Sequence, residues 1–179
     1  EQAHGKWYTL IAGARAQHWT YNGQTVGSPR LRFTYHPGWK KVDHQGDTVD
    51  VDYSFWAAAG LYYQPPFYRE VRDFQGRLNP EIKAQRSIHY VVGMDRRFTI
   101  WKRPFKFTAE AYYKQLDDLI PYELDNVRIR YYGDNLAKGY ATGLDLKLNG
   151  EFIDGVESWV GASVMNIQED LYDDSYTRR

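Results

Sequence analysis

The stretch "RPFKFTAEAYYKQL", residues 103–116, changes character at every step. Phe105, Phe107, Ala109, Ala111 and Tyr113 are apolar or aromatic, whereas Lys106, Thr108, Glu110, Tyr112 and Lys114 carry hydrogen-bonding groups. A period of two places these sets on opposite faces of a β-strand. Helical periodicity is scarce in the rest of the chain, the same alternation recurs, and seven strands are predicted. The first runs from about Lys6 to Tyr21, with Tyr8, Leu10, Ala12, Ala14 and Ala16 opposite Thr9, Gly13, Arg15 and Gln17. In the second, Pro29, Leu31, Phe33 and Tyr35 oppose Ser28, Arg30, Arg32, Thr34 and His36. The third, Asp50 to Tyr63, sets Tyr53, Phe55, Ala57, Ala59 and Leu61 against Ser54, Trp56, Ala58, Gly60 and Tyr62. The fourth, "SIHYVVGMD", sets Ile88, Tyr90, Val92 and Met94 against Ser87, His89, Gly93 and Asp95. The stretch 103–116 is the fifth. In the sixth, "KGYATGLDLKLNG", Tyr140, Thr142, Leu144, Leu146 and Leu148 oppose Gly139, Gly143, Asp145, Lys147 and Asn149. The seventh, "ESWVGASVMNIQED", reads equally well in either phase.

The connections also differ in kind. Those near 96–103 and 150–156 are short and turn-like, whereas 64–85 and 117–137 are long, aromatic and charged. In a meander the long ones fall on one end and most short ones on the other. The exceptions are "NGQTVG" at 22–27, short on the long-loop end, and 37–49, fairly long on the turn end. The "QPP" step after Tyr63 is expected to end a strand, because proline cannot donate to a ladder. No repeat or linker divides the chain, which reads as one unit, 1–179.

Composition narrows the solvents available to the two faces. The 179 residues include 23 basic and 23 acidic side chains, so no net field argues for nucleic acid. Cysteine is absent, which removes thiolate chemistry. No apolar run reaches the roughly 18 residues of a helical span, but the signal of a barrel strand is far weaker. Aromatic residues make up 17% of the chain, yet the mean hydropathy is −0.69. Rings at that density in a polar chain suit interfaces, where a ring buries its body and wets its edge.

Two readings of the alternation remain. A soluble β-sandwich alternates between core and water, and a carbohydrate-binding module of that kind would use its rings as a sugar platform. A membrane barrel alternates between lipid and a hydrated interior. Tyr8, Tyr35, Tyr63, Tyr113 and Tyr140 fall near strand ends, where an aromatic girdle would lie. Charged residues sit well inside the strands on the other face, and Arg15, Arg30, Arg32, Lys106, Glu110, Lys114, Asp145 and Lys147 are expected to face the lumen. None of the apolar faces carries a charge, which near the midplane would cost ~2–4 kcal/mol. The expected fold is therefore all-β, an antiparallel meander of about seven strands forming part of a large transmembrane β-barrel. A small complete outer-membrane barrel is a third, weaker reading.

The segments "SPRLRFTYHPGW", "AAAGLYYQPPFYRE" and "RPFKFTAEAYYKQLDDLIPYELDNVRIRYYGDNLAKGYATGLDLKLNGEF" resemble barrel strands and loops of TonB-dependent outer-membrane receptors. The likeness is strongest to the subgroup with an N-terminal carboxypeptidase-regulatory-like domain. It spans about residues 6–170, and "YYQPPFYRE" and "DNVRIRYYGDNLAKGYATG" are its most specific parts. The resemblance implies active import of a nutrient (siderophore, glycan, peptide or similar) across the Gram-negative outer membrane, with energy coupled from the inner membrane. It implies contact with outer-membrane lipid and with the TonB complex through an N-terminal part of the parent protein, and it allows a surface lipoprotein partner. Seven strands fall short of the ~22 of such barrels, and neither plug nor coupling box is recognisable. The chain accordingly reads as an internal piece, about a third of a barrel.

Candidate chemistry is sparse. The histidines at 4, 18, 36, 44 and 89 lack metal-binding spacing, and His36 and His44 read better as turn residues than as ligands. Asp50 with Asp52, and Glu169, Asp170, Asp173 and Asp174, lack the ligand-and-glycine pattern of a calcium loop and read as solvated loops. Asp117 and Asp118 are adjacent and so expected on opposite faces, unlike a glycosidase pair. No nucleophile elbow, P-loop or dinucleotide fingerprint occurs, so no enzyme and no cofactor are expected. Phe67, Tyr68 and Arg69 in one long loop, with Tyr122, Arg128, Arg130, Tyr131 and Tyr132 in the other, are the candidate ligand residues. Rings stack on ligand rings and arginine forks hold carboxylate or phosphate. The competing and favoured reading is that these rings pack the loops onto one another.

Overall fold

The structure, a computed structural model, describes residues 2–4, 7–42, 48–172 and 177–178. Its regular elements are all strands. They are β1 (Gln2–His4), β2 (Tyr8–Trp19), β3 (Gln24–Tyr35), β4 (Trp39–Val42), β5 (Thr48–Gln64) and β6 (Gln85–Ile100). Then follow β7 (Arg103–Leu119), β8 (Tyr122–Asp125), β9 (Arg128–Tyr131), β10 (Ala137–Ile153), β11 (Val156–Leu171) and β12 (Thr177–Arg178). The main sheet is an antiparallel meander in the order β1-β2-β3-β5-β6-β7-β10-β11-β12, with β4 also on β5, and β8 and β9 form a separate hairpin. Its seven long strands are the seven of the alternation.

The strands run further than the pattern alone indicates. The stretch 96–103 is ladder, from Arg96↔Phe107 to Ile100↔Arg103, and the turn is reduced to Trp101 and Lys102 at φ 53° and 61°. Both sit in the left-handed region that suits the twist of a two-residue hairpin. The first turn lies at 20–23 rather than 22–27, because Gly23 supplies φ 69° and Asn22 Oδ1 accepts the Gln24 N–H at 2.9 Å. The stretch 37–49 also contains strand, Trp39–Val42 and the start of β5 at Thr48. β4 continues the line of β3 along β5 after a break at Gly38, pairing Trp39 with Val51. Gly38 has φ 60°, and any side chain there would collide with the Trp7 ring. β5 ends at Gln64, directly before Pro65, as the missing donor requires.

Register fixes the phase of the seventh long strand. Val160, Ala162 and Val164 of β11 lie opposite Leu148, Leu146 and Leu144 of β10, so they join the apolar face. The same face continues through Ala109 and Ala111, Met94 and Val92, Ala57 and Ala59, and Phe33 and Leu31. Among the described residues nothing covers it. Leu31, Val92 and Val164 are 49%, 57% and 75% exposed. A β-sandwich would bury this surface against a second sheet, so the carbohydrate-module reading is not supported.

Aromatic rings border the apolar band at both ends. Tyr113 and Tyr140 stack at 6.0 Å toward the long-loop end. At the other end Phe105 meets Phe98, Trp101 and Phe152 at 6.0, 6.3 and 5.3 Å, and Trp39 meets Tyr53 at 5.4 Å. The longer strands add charges to this face, at its margins only. Arg96 lies over the Tyr53 and Phe98 rings, and Arg86 pairs with Asp117 at 3.1 Å beside the loops. A girdle position lets an arginine keep its head in the wet interface.

A bulge closes β7. Leu116 pairs with Gly139 and Leu119 with Ala137, so Asp117 and Asp118 together oppose Lys138, and Asp118 takes φ 55°. The simple opposite-face expectation for these two carboxylates therefore gives way to a bulge that re-aims the chain and delivers Ile120 into the loops.

Candidate functional site

The long connections, residues 65–84 and 120–136, form a small body at one end of the sheet. Val71, Ile82 and Ile120 are its buried centre, with Trp19 and Tyr131 packed against it. Three asparagines lash it down. Asn22 Nδ2 donates to the Ile82 carbonyl at 2.7 Å, and Asn79 Nδ2 to that of Gly133 at 2.9 Å. Asn135 takes the Lys83 N–H at 2.7 Å and donates to the Asp118 carbonyl at 2.6 Å. These clamps escape sequence reasoning, since asparagine in a loop signals a turn and says nothing about a partner more than 50 residues away.

Within this body the sequence candidates divide. Tyr131 packs on the core, and Tyr132 meets the Phe74 ring at 4.8 Å and donates its hydroxyl to Glu123. Packing therefore accounts for Tyr132, whereas Tyr131 both packs on the core and borders a cleft. Arg69, Arg128, Arg130 and Tyr131 line one cleft of about 560 Å³ between the loops. Arg72 and Phe74, which the sequence did not single out, share its walls. Arg130 lies 4.7 Å from the Phe74 ring centre and 3.3 Å from an Asp125 oxygen. Phe67, Tyr68 and Tyr122 stand outside the cleft and exposed. Tyr68 receives the Arg69 Nε–H at 2.9 Å, and Tyr122 meets the Tyr131 ring at 5.9 Å.

Asp73 at the cleft edge is already engaged. It accepts the Gln75 and Arg77 N–H groups at 2.9 Å each, and the Arg77 Nε–H at 2.7 Å. Desolvation works to raise this carboxyl, but the hydrogen bonds from Arg77 and Gln75 outweigh it and hold the group below its usual 3.8. The turn thus gains from the charged form above the unfolded value of about 3.9, and that gain is lost as pH falls through the lower folded value. Amide exchange at Gln75 and Arg77, corrected for intrinsic rate, is expected to accelerate below about pH 4.

Arg15, Arg30, Arg32, Lys106, Glu110, Lys114, Asp145 and Lys147 share the second face of the sheet. Arg15 lies opposite Ser28, Arg30 opposite Gly60, Arg32 opposite Ala58 and Lys114 opposite His89. Glu110 lies opposite Asp145, Lys106 opposite Asn149 and Lys147 opposite Thr108. Cations rest on rings here. Arg30 lies over Tyr62 at 4.6 Å, Arg32 over Trp56 at 4.3 Å, Lys114 over Tyr112 at 4.9 Å and Lys147 over Trp159 at 5.2 Å. Small residues seat the rings. A side chain at Gly93, the partner of Trp56, would begin 2.5 Å from that indole, and one at Gly143 would meet the Tyr112 hydroxyl at the same distance. Lys106 reaches Asp95 at 3.1 Å, with Thr108 bonded to the same carboxylate.

Among the described residues no group of three His, Asp or Glu is placed to hold a metal. His18 contacts the Thr25 hydroxyl, His89 lies tilted against the Tyr62 ring, Asp52 pairs with Arg97 and Asp170 with Lys138. His44, Asp173 and Asp174 lie outside the described residues.

A sheet with one bare apolar face between aromatic borders, a polar reverse, and long loops at one end is a section of β-barrel wall. The chain belongs to the family described as TonB dependent receptor-like, beta-barrel, whose profile matches residues 3–178. Members of this family are outer-membrane receptors that act in transport and are not enzymes. No curated protein and no solved structure matched the chain.

Proposed function

We propose that this chain is a wall section of a Gram-negative outer-membrane importer, with its apolar face on lipid and its cation-bearing face lining a hydrated interior. The observation that carries this reading is the bare apolar face bounded by rings at both ends, since only closed β-structure can hold such a sheet in hydrocarbon. The sheet edges, at β1/β2 and at β11/β12, do not pair with one another, and further strands of the parent barrel would join them. The 65–84 and 120–136 loops would stand at the outer surface and help capture a nutrient ligand. Uptake would draw energy from the inner membrane through the TonB complex, acting on a part of the parent protein other than this wall, and a surface lipoprotein could cap the loops. Lumenal cations resting on rings would then be available to substrate or to a plug.

Fractionation of cells making the full-length receptor tests the reading. The protein is expected in the outer-membrane pellet after carbonate washing and to need detergent for release. Release by salt or carbonate would contradict it.

A further inference from the structure

We propose that the cleft between the 65–84 and 120–136 loops binds a small ligand bearing a carboxylate or phosphate on a flat, apolar group. This builds on the receptor reading of those loops.

The charge balance of the cleft is the first argument. Four arginines line it, Arg69, Arg72, Arg128 and Arg130. Of the nearby carboxylates, Asp73 is neutralised by Arg77 at 2.7 Å and Asp125 by Arg130 at 3.3 Å. Arg69 spends its Nε on the Tyr68 hydroxyl, Arg72 donates to the Gly76 carbonyl, and neither forms an ion pair among the described residues. Arg128 likewise forms none. Asp73 shares the cleft wall but is held by Arg77, so three of the four lining arginines have no ion-pair partner among the described residues, and their planar forks fit the two oxygens of a carboxylate or phosphate.

Shape and lining are the second. A volume of about 560 Å³ is that of a small-molecule site rather than a macromolecular groove. Phe74 and Tyr131 form an aromatic wall beside the arginines, with Ile129 adding apolar surface. A ring or acyl plane can lie against them while its anionic group meets the forks. The walls are also held in place. Phe74 is gripped between Arg130 and Tyr132, and Asn79 ties one loop to Gly133 of the other, so the site is largely formed before any ligand enters.

The test titrates detergent-purified full-length receptor calorimetrically with three probes: benzene-1,3,5-tricarboxylate, phenyl phosphate and uncharged benzyl alcohol. At least one of the two anions is expected to bind while benzyl alcohol does not, and their ratio tells carboxylate from phosphate preference. Arg128→Ala should weaken the bound anion about tenfold or more, with Arg128→Lys intermediate because a point charge replaces the fork. Asp125→Asn, which frees Arg130, should tighten binding several-fold, a gain that misfolding cannot produce. Binding of neither anion, equal binding of benzyl alcohol, or indifference to both Arg128→Ala and Asp125→Asn would overturn the proposal. A receptor that stays in the outer membrane yet leaves these probes unbound defeats the cleft alone. One that binds them but washes off with carbonate defeats the receptor reading alone.

Discussion

Ala109→Arg in the full-length receptor is expected to lower barrel stability by about 2–4 kcal/mol, enough to deplete the assembled protein. Ala109 lies on the apolar face at the middle of β7, between Met94 of β6 and Leu146 of β10. If that face meets lipid, as proposed, an arginine there has no girdle within easy reach and must carry its charge in hydrocarbon. Glu110→Ala, one residue along, should cost under about 1 kcal/mol, because that side chain faces the polar reverse. It should even relieve repulsion, since Glu110 lies directly opposite Asp145. Urea unfolding in lipid vesicles, or the heat-modified gel shift of folded barrels, reads both. Equal tolerance of the two substitutions would reverse or abolish the assignment of faces.

Ile82→Ala is expected to cost about 2–5 kcal/mol, and to cost it locally. Ile82 is 0% exposed and sits among Val71, Ile120, Trp19 and Tyr131. Removing its side chain leaves a cavity in a core too small to collapse around it. That core touches the main sheet only at its end, through Trp19 of β2, so the loops should open while the barrel stays folded. Limited proteolysis is the direct assay. Cleavage within 65–84 and 120–136 should accelerate sharply, with the detergent-resistant barrel fragment preserved. Loss of the barrel itself would mean that the loops are integral to assembly, contrary to this account.

Alternation is legible because the two faces differ in chemistry along most of each long strand. The residues from Phe105 to Lys114 report their faces one by one, and the neighbours agree across each ladder. Strand ends were less legible. Arg96 and Arg97 look like turn residues until Arg96 is seen resting on Tyr53 and Phe98, and Arg97 on Asp52. β4 was hidden because "HPGW" breaks the pattern locally while the ladder on β5 resumes beyond it. The phase of β11 could not be read from itself. Trp159, Met165 and Ile167 on one side balance Val160, Ala162 and Val164 on the other, and the register to β10 decides. In the loops the sequence singled out Arg69, Arg128, Arg130 and Tyr131 among the residues that line the cleft. It missed Arg72 and Phe74 because contacts between segments some 55 residues apart leave no periodic trace.

The central claim is that one face of this sheet meets lipid and the other meets water. The chain has no cysteine, so single thiols can be introduced on chosen faces and labelled. Val92→Cys and Leu144→Cys, carrying a fluorophore, are expected to be quenched by brominated lipid chains and spared by aqueous iodide. Val91→Cys and Asp145→Cys, their neighbours in sequence, should show the opposite response. Iodide quenching at all four positions, or the reversed pattern, would contradict the account.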